Sequence, residues 1–180
     1  MVALSKTAQE IEQVIDQELT TEPIDPVPIV TDLIDEYREV YSEADIELLD
    51  LENVRVHADR RLQTALDHLI ENALLYTDQA EPHVQVSVST DDNTSEWVRL
   101  EIKDNGPGIP DKEWSVIVGN GEITQLEHGT GLGLWLVKWL VDTYGGDLEY
   151  SDNELGGSTV TISLRKAPNA EGQPRSNQPE

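Results

Sequence analysis

Two glycine-rich segments contain the residues best suited to bind a small anionic ligand: DNGPGIP at residues 104–110 and GTGLGL at residues 129–134. In the first, Asp104 follows the alternating apolar residues of 98–102, so we expect it at the end of a strand. There its carboxylate can accept a hydrogen bond from an exocyclic amine. Gly106 and Gly108 permit a left-handed backbone and a close approach to a ligand. By itself, the segment is more typical of an ordinary glycine-proline turn after a strand.

The second segment leads into an apolar run, Leu134–Tyr144, which predicts a buried helix ending at Gly145. A glycine-rich loop before a helix leaves backbone N–H groups free near the positive end of the helix dipole, so phosphate is the natural ligand. The spacing is neither that of a Walker loop nor that of a dinucleotide-binding fingerprint. Alone, such a loop is more often a flexible connection.

Asn72 is the candidate metal ligand. It lies in a stretch, residues 59–77, whose apolar residues recur with the period of a helix. His68 is four residues earlier and therefore shares its face. Mg²⁺ is usually held by one or two protein oxygens, with phosphate and water completing the shell, so one amide oxygen is a reasonable contribution. Without further context, a solvated polar residue is the commoner interpretation of Asn72.

Taken together and in this order, the three segments resemble the N, G1 and G2 boxes of the histidine-kinase ATP-binding domain. That domain shares the Bergerat fold with gyrase and the heat-shock chaperone ATPases. The resemblance extends from Ile24 to Arg165. It implies an α+β two-layer sandwich with a mixed sheet and helices on one face. The local pairing of the predicted strands, with helices grouped on one side, indicates the same class.

The resemblance also implies a function. The chain would be the ATP-binding catalytic domain of a two-component sensor histidine kinase, presenting the γ-phosphate of Mg·ATP to a histidine outside this sequence. Its cofactors would be ATP and Mg²⁺. Its partners would be a dimerisation domain with the phosphoacceptor histidine and a response regulator, in a homodimeric full-length protein. The residues implied in cofactor binding are Asn72, which is also the metal ligand, Tyr76, Asp104, Gly106, Gly108, Ile109, His128, Gly129, Thr130, Gly131, Leu132 and Gly133.

Several departures from the family pattern keep other functions open. His68 stands where relatives have an asparagine or a water-activating glutamate; an imidazole there could bond a phosphate or a metal-bound water. Leu75 replaces a cation that many relatives have. The lid lacks phenylalanine and has no cation between Lys112 and Lys138. Trp114 is either the anchor of the lid or a surface tryptophan that packs the lid onto the domain. An anti-sigma-type serine kinase and a non-catalytic nucleotide-binding signalling module remain alternatives, whereas His68 argues against a hydrolase.

Four segments are predicted along the chain: the end of a dimerisation helix at 1–19, a linker with three prolines at 20–28, the ATP-binding domain at 29–166 and a disordered tail at 167–180. A helix packed on its own domain is the alternative for the first segment. Further helices are predicted near 29–41, 59–77 and 134–144. Strands are predicted near 46–49, 54–57, 83–89, 96–103, 147–151 and 158–164.

Acidic residues outnumber basic ones 36 to 12, which gives a formal net charge of −24. Such a surface repels nucleic acids and anionic membranes, so we expect neither as a partner. The chain has no cysteine, which excludes disulfides and cysteine-based metal sites, and no apolar run long enough to span a membrane. We expect a cytoplasmic domain, whether or not its parent protein is membrane-anchored. The dispersed acids and scarce lysines suggest a salt-loaded cytoplasm such as that of a haloarchaeon.

Salt should therefore stabilise the fold. At molar KCl the Debye length falls to about 3 Å, so repulsion among the dispersed carboxylates is screened. We expect the melting temperature, followed by circular dichroism, to rise steeply between low and molar KCl. A melting temperature that does not respond to KCl would contradict the assignment to a salt-loaded cytoplasm.

Overall fold

The structure is a computed structural model that describes residues 2–16, 18–91, 93–94, 96–119 and 130–169. The helices are α1 (Val2–Ile15), α2 (Pro26–Val40), α3 (Leu62–Leu75), α4 (Asp111–Val118) and α5 (Thr130–Thr143). The strands are β1 (Glu22–Ile24), β2 (Asp45–Leu51), β3 (Arg55–Ala58), β4 (His83–Thr90), β5 (Trp97–Asp104), β6 (Asp147–Asp152) and β7 (Ser158–Ala167). Within these described ranges, no helix combines the length and apolarity that crossing a membrane requires.

Seven strands form one mixed sheet. The order of hydrogen-bonded neighbours is β1-β3-β7-β5-β4-β2. β6 is the seventh strand; it pairs with β7 and is not part of this order. β2 runs parallel to β4, and the remaining pairings among the described strands are antiparallel. The hairpins β4–β5 and β6–β7 occur where the sequence predicts them, because polar turn residues separate two runs of alternating apolar residues at each place.

One face of the sheet is buried. Val98, Leu100 and Ile102 of β5 are at most 1 % exposed, whereas the residues between them are only half-buried. α3 and α5 contribute fully buried apolar side chains to the same core. Burying these apolar surfaces against each other is the main favourable term in folding such a domain. The α+β two-layer fold with a mixed sheet is confirmed.

Asp59, which follows β3, joins three parts of the fold. Its carboxylate accepts hydrogen bonds from the backbone N–H of Arg61 at 2.8 Å, from Nε of Arg61 at 3.0 Å and from the hydroxyl of Tyr144 at 2.6 Å. The guanidinium of Arg61 also donates to the backbone carbonyls of Val14 at 3.1 Å and Glu18 at 3.4 Å. The end of α1 is therefore held against the beginning of α3, and α3 against the end of α5.

The element boundaries predicted around the linker need correction. β1 lies inside residues 20–28 and pairs antiparallel with β3, and α2 begins at Pro26. Proline is compatible with the first helical turn, because its missing N–H would have no partner there. Asp25 caps this helix by accepting a hydrogen bond from the N–H of Val27 at 3.0 Å. α1 ends at Ile15, before the first of these prolines, so the prolines in this segment belong to a strand and to the start of a helix.

Two further elements differ from the predictions. β7 extends to Ala167, which is 2 % exposed and pairs with Arg55 of β3, so the first residue assigned to the disordered tail belongs to the sheet. This pairing joins residues far apart in sequence, and local composition does not reveal it. Residues 170–180 lie outside the described residues. The lid contains α4, a helix that no sequence pattern predicted.

We predict that Tyr144→Phe destabilises the protein by about 1 kcal/mol at pH 7, because it removes a buried hydrogen bond while Asp59 keeps its bonds to Arg61. Burial and the bond to Asp59 raise the pKa of Tyr144 above its ordinary value. A raised pKa in the folded state contributes its full stabilisation below the pKa of the unfolded chain, which is about 10 for tyrosine. This contribution is lost as the pH rises above that value. The difference between wild type and variant should therefore shrink above pH 10 in urea unfolding.

Tyr41→Phe is the matched control. Tyr41 is partly buried against the core, and its hydroxyl makes no hydrogen bond within the described part of the chain. Equal losses for the two variants, or a Tyr144 effect that does not change at alkaline pH, would contradict the role given to the Tyr144–Asp59 bond.

Candidate functional site

A cavity of about 270 Å³ opens between α3, the loop after β5, and the beginnings of α5 and β7. Its volume lies just below the range of small-molecule pockets, about 300–1,000 Å³. Five of the predicted site residues line it: Asn72, Tyr76, Asp104, Gly108 and Ile109. The lining also includes residues outside that set, among them Glu113, Leu134 and Ser158.

Asp104 is the buried polar centre of this cavity, 9 % exposed. Its Oδ1 accepts hydrogen bonds from the backbone N–H of Gly106 at 2.8 Å and of Ser158 at 3.4 Å, and its Oδ2 accepts from the hydroxyl of Ser158 at 2.7 Å. A carboxylate offers about four acceptor positions. These donors therefore fix the group and leave one position on Oδ2, which suits the exocyclic amine of a purine.

The β6–β7 turn holds the backbone of Asp104. The Asn153 amide donates to the carbonyl of Asp104 at 3.0 Å and to that of Ser158 at 2.7 Å, while its oxygen accepts from the N–H groups of Leu155 and Gly157. A Cβ on Gly157 would lie 2.2 Å from the Asp104 carbonyl oxygen, so no side chain fits there. Sequence reasoning missed Asn153 and Ser158. The adjacent glycines of the turn are the signal that points to them, because glycine permits close backbone approach.

Tyr150 of β6 shapes the first glycine segment. Gly108 has a φ of +82°, and a Cβ at this position would lie 2.5 Å from the Tyr150 hydroxyl. Ile109 donates its N–H to the same hydroxyl at 3.0 Å. Gly108 is therefore required both for its left-handed backbone and for space. No sequence pattern points to Tyr150.

Helix α4 packs on the same tyrosine. The ring centroids of Trp114 and Tyr150 are 5.3 Å apart, and Trp114 is partly buried against the core. These contacts pack the lid helix onto the domain, as the second interpretation of Trp114 has it. Glu113 is beside it and lines the cavity. The remainder of the lid, including His128 and Gly129, lies outside the described residues.

α3 presents Asn72 and Tyr76 to the cavity, one helical turn apart. Asn72 is half-buried, and Tyr76 is 50 % exposed at the C-cap of the helix. An amide oxygen at the edge of a cavity can ligate a hard cation, and Mg²⁺ needs few protein ligands when phosphate and water supply the others. The residues present therefore fit a magnesium ion carried in with a phosphate ligand.

The second glycine segment differs from the predicted loop, because α5 begins at Thr130. Gly131, Leu132 and Gly133 form the first turn of this helix, where backbone N–H groups have no helical partner. These N–H groups and the helix dipole are the features that favour an anion. Leu134, the next residue, lines the cavity. The side chain of Thr130 lies outside the described part of the structure.

His68 is buried but is not among the residues that line the cavity. Its Nε2 lies 2.9 Å from the carboxylate of Glu10 on α1. A Cβ on Gly133 would lie 3.1 Å from its Nδ1, so the ring also packs against the first turn of α5. The sequence left open a bond from His68 to a phosphate or a metal-bound water; in the structure, Nε2 of His68 is paired with the carboxylate of Glu10 instead.

Comparison with known families and proteins gives a consistent result. The family model described as "Histidine kinase-, DNA gyrase B-, and HSP90-like ATPase" matches residues 57–168. The chain is 34 % identical over 128 residues to the adaptive-response sensory kinase SasA of Prochlorococcus marinus, covering 61 % of this chain and 34 % of that protein. It is 31 % identical over 109 residues to the signal transduction histidine-protein kinase BarA of Escherichia coli, covering 58 % and 12 %. The chain thus spans about a third or less of these relatives.

Solved structures give the same fold. The mycobacterial sensor histidine kinase MprB superposes with a TM-score of 0.68 at 25 % identity, covering 83 % of this chain and 99 % of that chain. The catalytic domain of histidine kinase ThkA superposes with a TM-score of 0.68 at 22 % identity, covering 84 % and 100 %. At this lower identity, the likeness to ThkA shows a shared fold and nothing more.

We predict that Ser158→Ala weakens the binding of an adenine nucleotide about fivefold, because losing the donor that fixes Oδ2 of Asp104 costs about 1 kcal/mol. Calorimetric titration with ADP measures the change. Ser163→Ala is the matched control, since Ser163 is on the same strand but on the opposite face of the sheet. Unchanged affinity in the Ser158 variant, or an equal loss in the control, would contradict this role.

Proposed function

This chain belongs to the family of histidine kinase-, DNA gyrase B- and HSP90-like ATPases, as a histidine kinase catalytic domain, and we propose that it presents Mg·ATP to a phosphoacceptor histidine outside residues 1–180. In the reaction, the γ-phosphoryl group of ATP passes to an imidazole nitrogen and ADP is released. Such transfer depends on positioning and on neutralisation of the phosphate charge, so the domain needs no covalent intermediate of its own.

The hydrogen bonding of Asp104 is the observation that carries this proposal. A buried carboxylate fixed by three donors, with one acceptor position left in an apolar cavity, selects a ligand that offers an N–H donor from a flat ring. Adenine has such a donor in its exocyclic amine, whereas guanine presents a carbonyl oxygen at that position. Tyr76 and Ile109, which line the cavity, supply surface for the ring.

The phosphate end of the nucleotide is proposed to lie between Asn72 and the beginning of α5. Among the described residues that line the cavity there is no lysine or arginine. The triphosphate charge would then be met by Mg²⁺ on Asn72 and by N–H groups of the first turn of α5, with His128, Gly129 and Thr130 as further proposed contacts. Asn72 would hold the Mg²⁺, whose charge would offset part of the charge on the phosphates.

α1 is proposed to be the end of a dimerisation helix, in a homodimeric sensor kinase that passes its phosphoryl group to a response regulator. SasA and BarA are named as kinases of sensing or signal transduction, which supports this setting. The contacts of α1 with His68 and Arg61 support a helix that communicates with the nucleotide-binding domain. We further propose a cytoplasmic location with high salt, on the basis of the net charge of −24.

We expect Asn72→Ala to remove the Mg²⁺-dependent part of ATP binding, because this amide is the proposed protein ligand of the ion. Calorimetric titration with ATP in the presence and absence of Mg²⁺ measures the effect, and circular dichroism checks the fold. Gln63→Ala is the matched control, since it removes an amide from an exposed position of the same helix. An identical Mg²⁺ response in the two variants would contradict the role of Asn72.

The wild-type chain and the Asn72 variant can also be assayed for phosphoryl transfer from γ-labelled ATP. In these kinases an acidic residue follows the acceptor histidine and polarises it. No histidine of this chain is followed by an acidic residue. The chain should therefore not label itself, and a sensor-kinase dimerisation fragment added in trans should acquire acid-labile phosphate from the wild type but not from the Asn72 variant. Acid-stable phosphate on serine, or acid-labile phosphate on the isolated chain, would overturn the proposal.

A further inference from the structure

The edge of the sheet where β2 runs beside β4 carries a second group of ligating side chains. The parallel register pairs Asp45 with His83 and Glu47 with Gln85. Residues two apart in a strand point to the same side, so these side chains share one face. Asp45, Glu47 and His83 bring a histidine nitrogen and two carboxylate oxygens within 4.8 Å of one another. The group lies outside the nucleotide cavity, and the proposed kinase function does not use it.

Two contacts hold His83 in place. Its Nδ1 lies 3.0 Å from the carboxylate of Asp45, which is a normal distance for an N–H donor and a carboxylate oxygen. Its backbone N–H donates to the side chain of Asn105 at 2.9 Å, which ties the start of β4 to the loop after Asp104. The ring is thereby oriented with its other nitrogen, Nε2, toward Glu47.

This second nitrogen has no partner that explains its position. Nε2 of His83 is buried, and within the described ranges it makes no hydrogen bond. Oε2 of Glu47 is 3.6 Å away, beyond the hydrogen-bonding range of about 2.7–3.2 Å. With the ring proton on Nδ1, a lone pair on Nε2 faces a carboxylate oxygen, so two electron-pair donors face each other. The Glu47 side chain is partly exposed, so the cost falls on Nε2, which is buried without a partner unless a cation lies between the two atoms.

The separation of these two atoms suits two ligands of one metal ion. Zn²⁺ binds histidine nitrogen and carboxylate oxygen at about 2.0–2.2 Å in tetrahedral geometry, which puts neighbouring ligand atoms about 3.4 Å apart. The observed 3.6 Å needs a shift of only a few tenths of an ångström. Gln85 donates to the same oxygen of Glu47 at 2.8 Å, and Asp45 accepts from the ring, so each ligand has the supporting partner that metal ligands usually have.

We propose that Nε2 of His83 and the carboxylate of Glu47 bind a divalent first-row transition-metal ion such as Zn²⁺, with Asp45 orienting the histidine and water completing the coordination. Mixed nitrogen and oxygen ligands suit such an ion better than Mg²⁺, which prefers oxygen alone. The ion joins the edge strand β2 to β4. An imidazolium held between the two carboxylates is the competing explanation, but it leaves the Nε2–H without an acceptor at bonding distance.

Calorimetric titration of the metal-free chain with Zn²⁺ should show one site, and saturating Zn²⁺ should raise the melting temperature because the ion binds the folded state. Glu47→Gln and His83→Gln should each abolish that site. Asp45→Asn should weaken it by about 10- to 100-fold, the usual effect of losing a partner that orients a ligand. An excess of Mg²⁺ should leave Zn²⁺ binding unchanged.

His57→Gln is the matched control, since His57 lies on β3 and takes no part in the group. It should bind Zn²⁺ as the wild type does. The Glu47 variant keeps an oxygen for the Gln85 bond, so loss of binding in a variant with wild-type circular dichroism reports the lost ligand rather than unfolding. If the His83 variant binds Zn²⁺ as tightly as the wild type, or if the wild type shows several equivalent weak sites, the ion is adventitious and the proposal is wrong.

Discussion

The antiparallel pairing of β5 with β7 is the constraint on which the candidate nucleotide site depends. Its register runs from Trp97 opposite Arg165 to Lys103 opposite Thr159, so the next pair places Ser158 beside Asp104. A slip of one residue would turn Ser158 to the other face of the sheet and remove the donor to the carboxylate. The β6–β7 turn resists such a slip because it is bonded to the backbone of Asp104. The register of β5 and β7 therefore also determines which donors hold the Asp104 carboxylate.

The parts of the site that the sequence predicted are those that local patterns encode. Helical periodicity located α3 and with it Asn72, while alternation along β5 put Asp104 at a strand end. The residues that it missed act through pairings between distant segments. Ser158 contributes only because β7 lies beside β5, and Tyr150 only because β6 brings it beneath the loop that contains Gly108. Periodicity reports which face of an element is buried, but it does not report which element covers that face.

The glycines of the two segments have different structural roles, and only one of these roles can be predicted from local sequence. Gly108 has a left-handed backbone, and this is the property that glycine-rich turns signal in a sequence. Gly133 lies in a right-handed helix and is limited by the ring of His68 instead. Its small size lets α5 approach α3 closely, so one imidazole contacts both α5 and Glu10 of α1. The N-terminal helix and the first turn of α5 therefore contact the same buried side chain, His68.

Arg61 contacts α1 and the segment after it through main-chain oxygens. The carbonyls of Val14 and Glu18 that accept its hydrogen bonds are present whatever side chains those positions carry. Val14 is in the last turn of α1, where carbonyls lack helical partners, so the guanidinium serves as a cap supplied by another element. Replacing residues there leaves the acceptors in place, whereas inserting or deleting one moves them. The hydrogen bonds from Arg61 are therefore specified by chain length between α1 and β1 more than by residue identity.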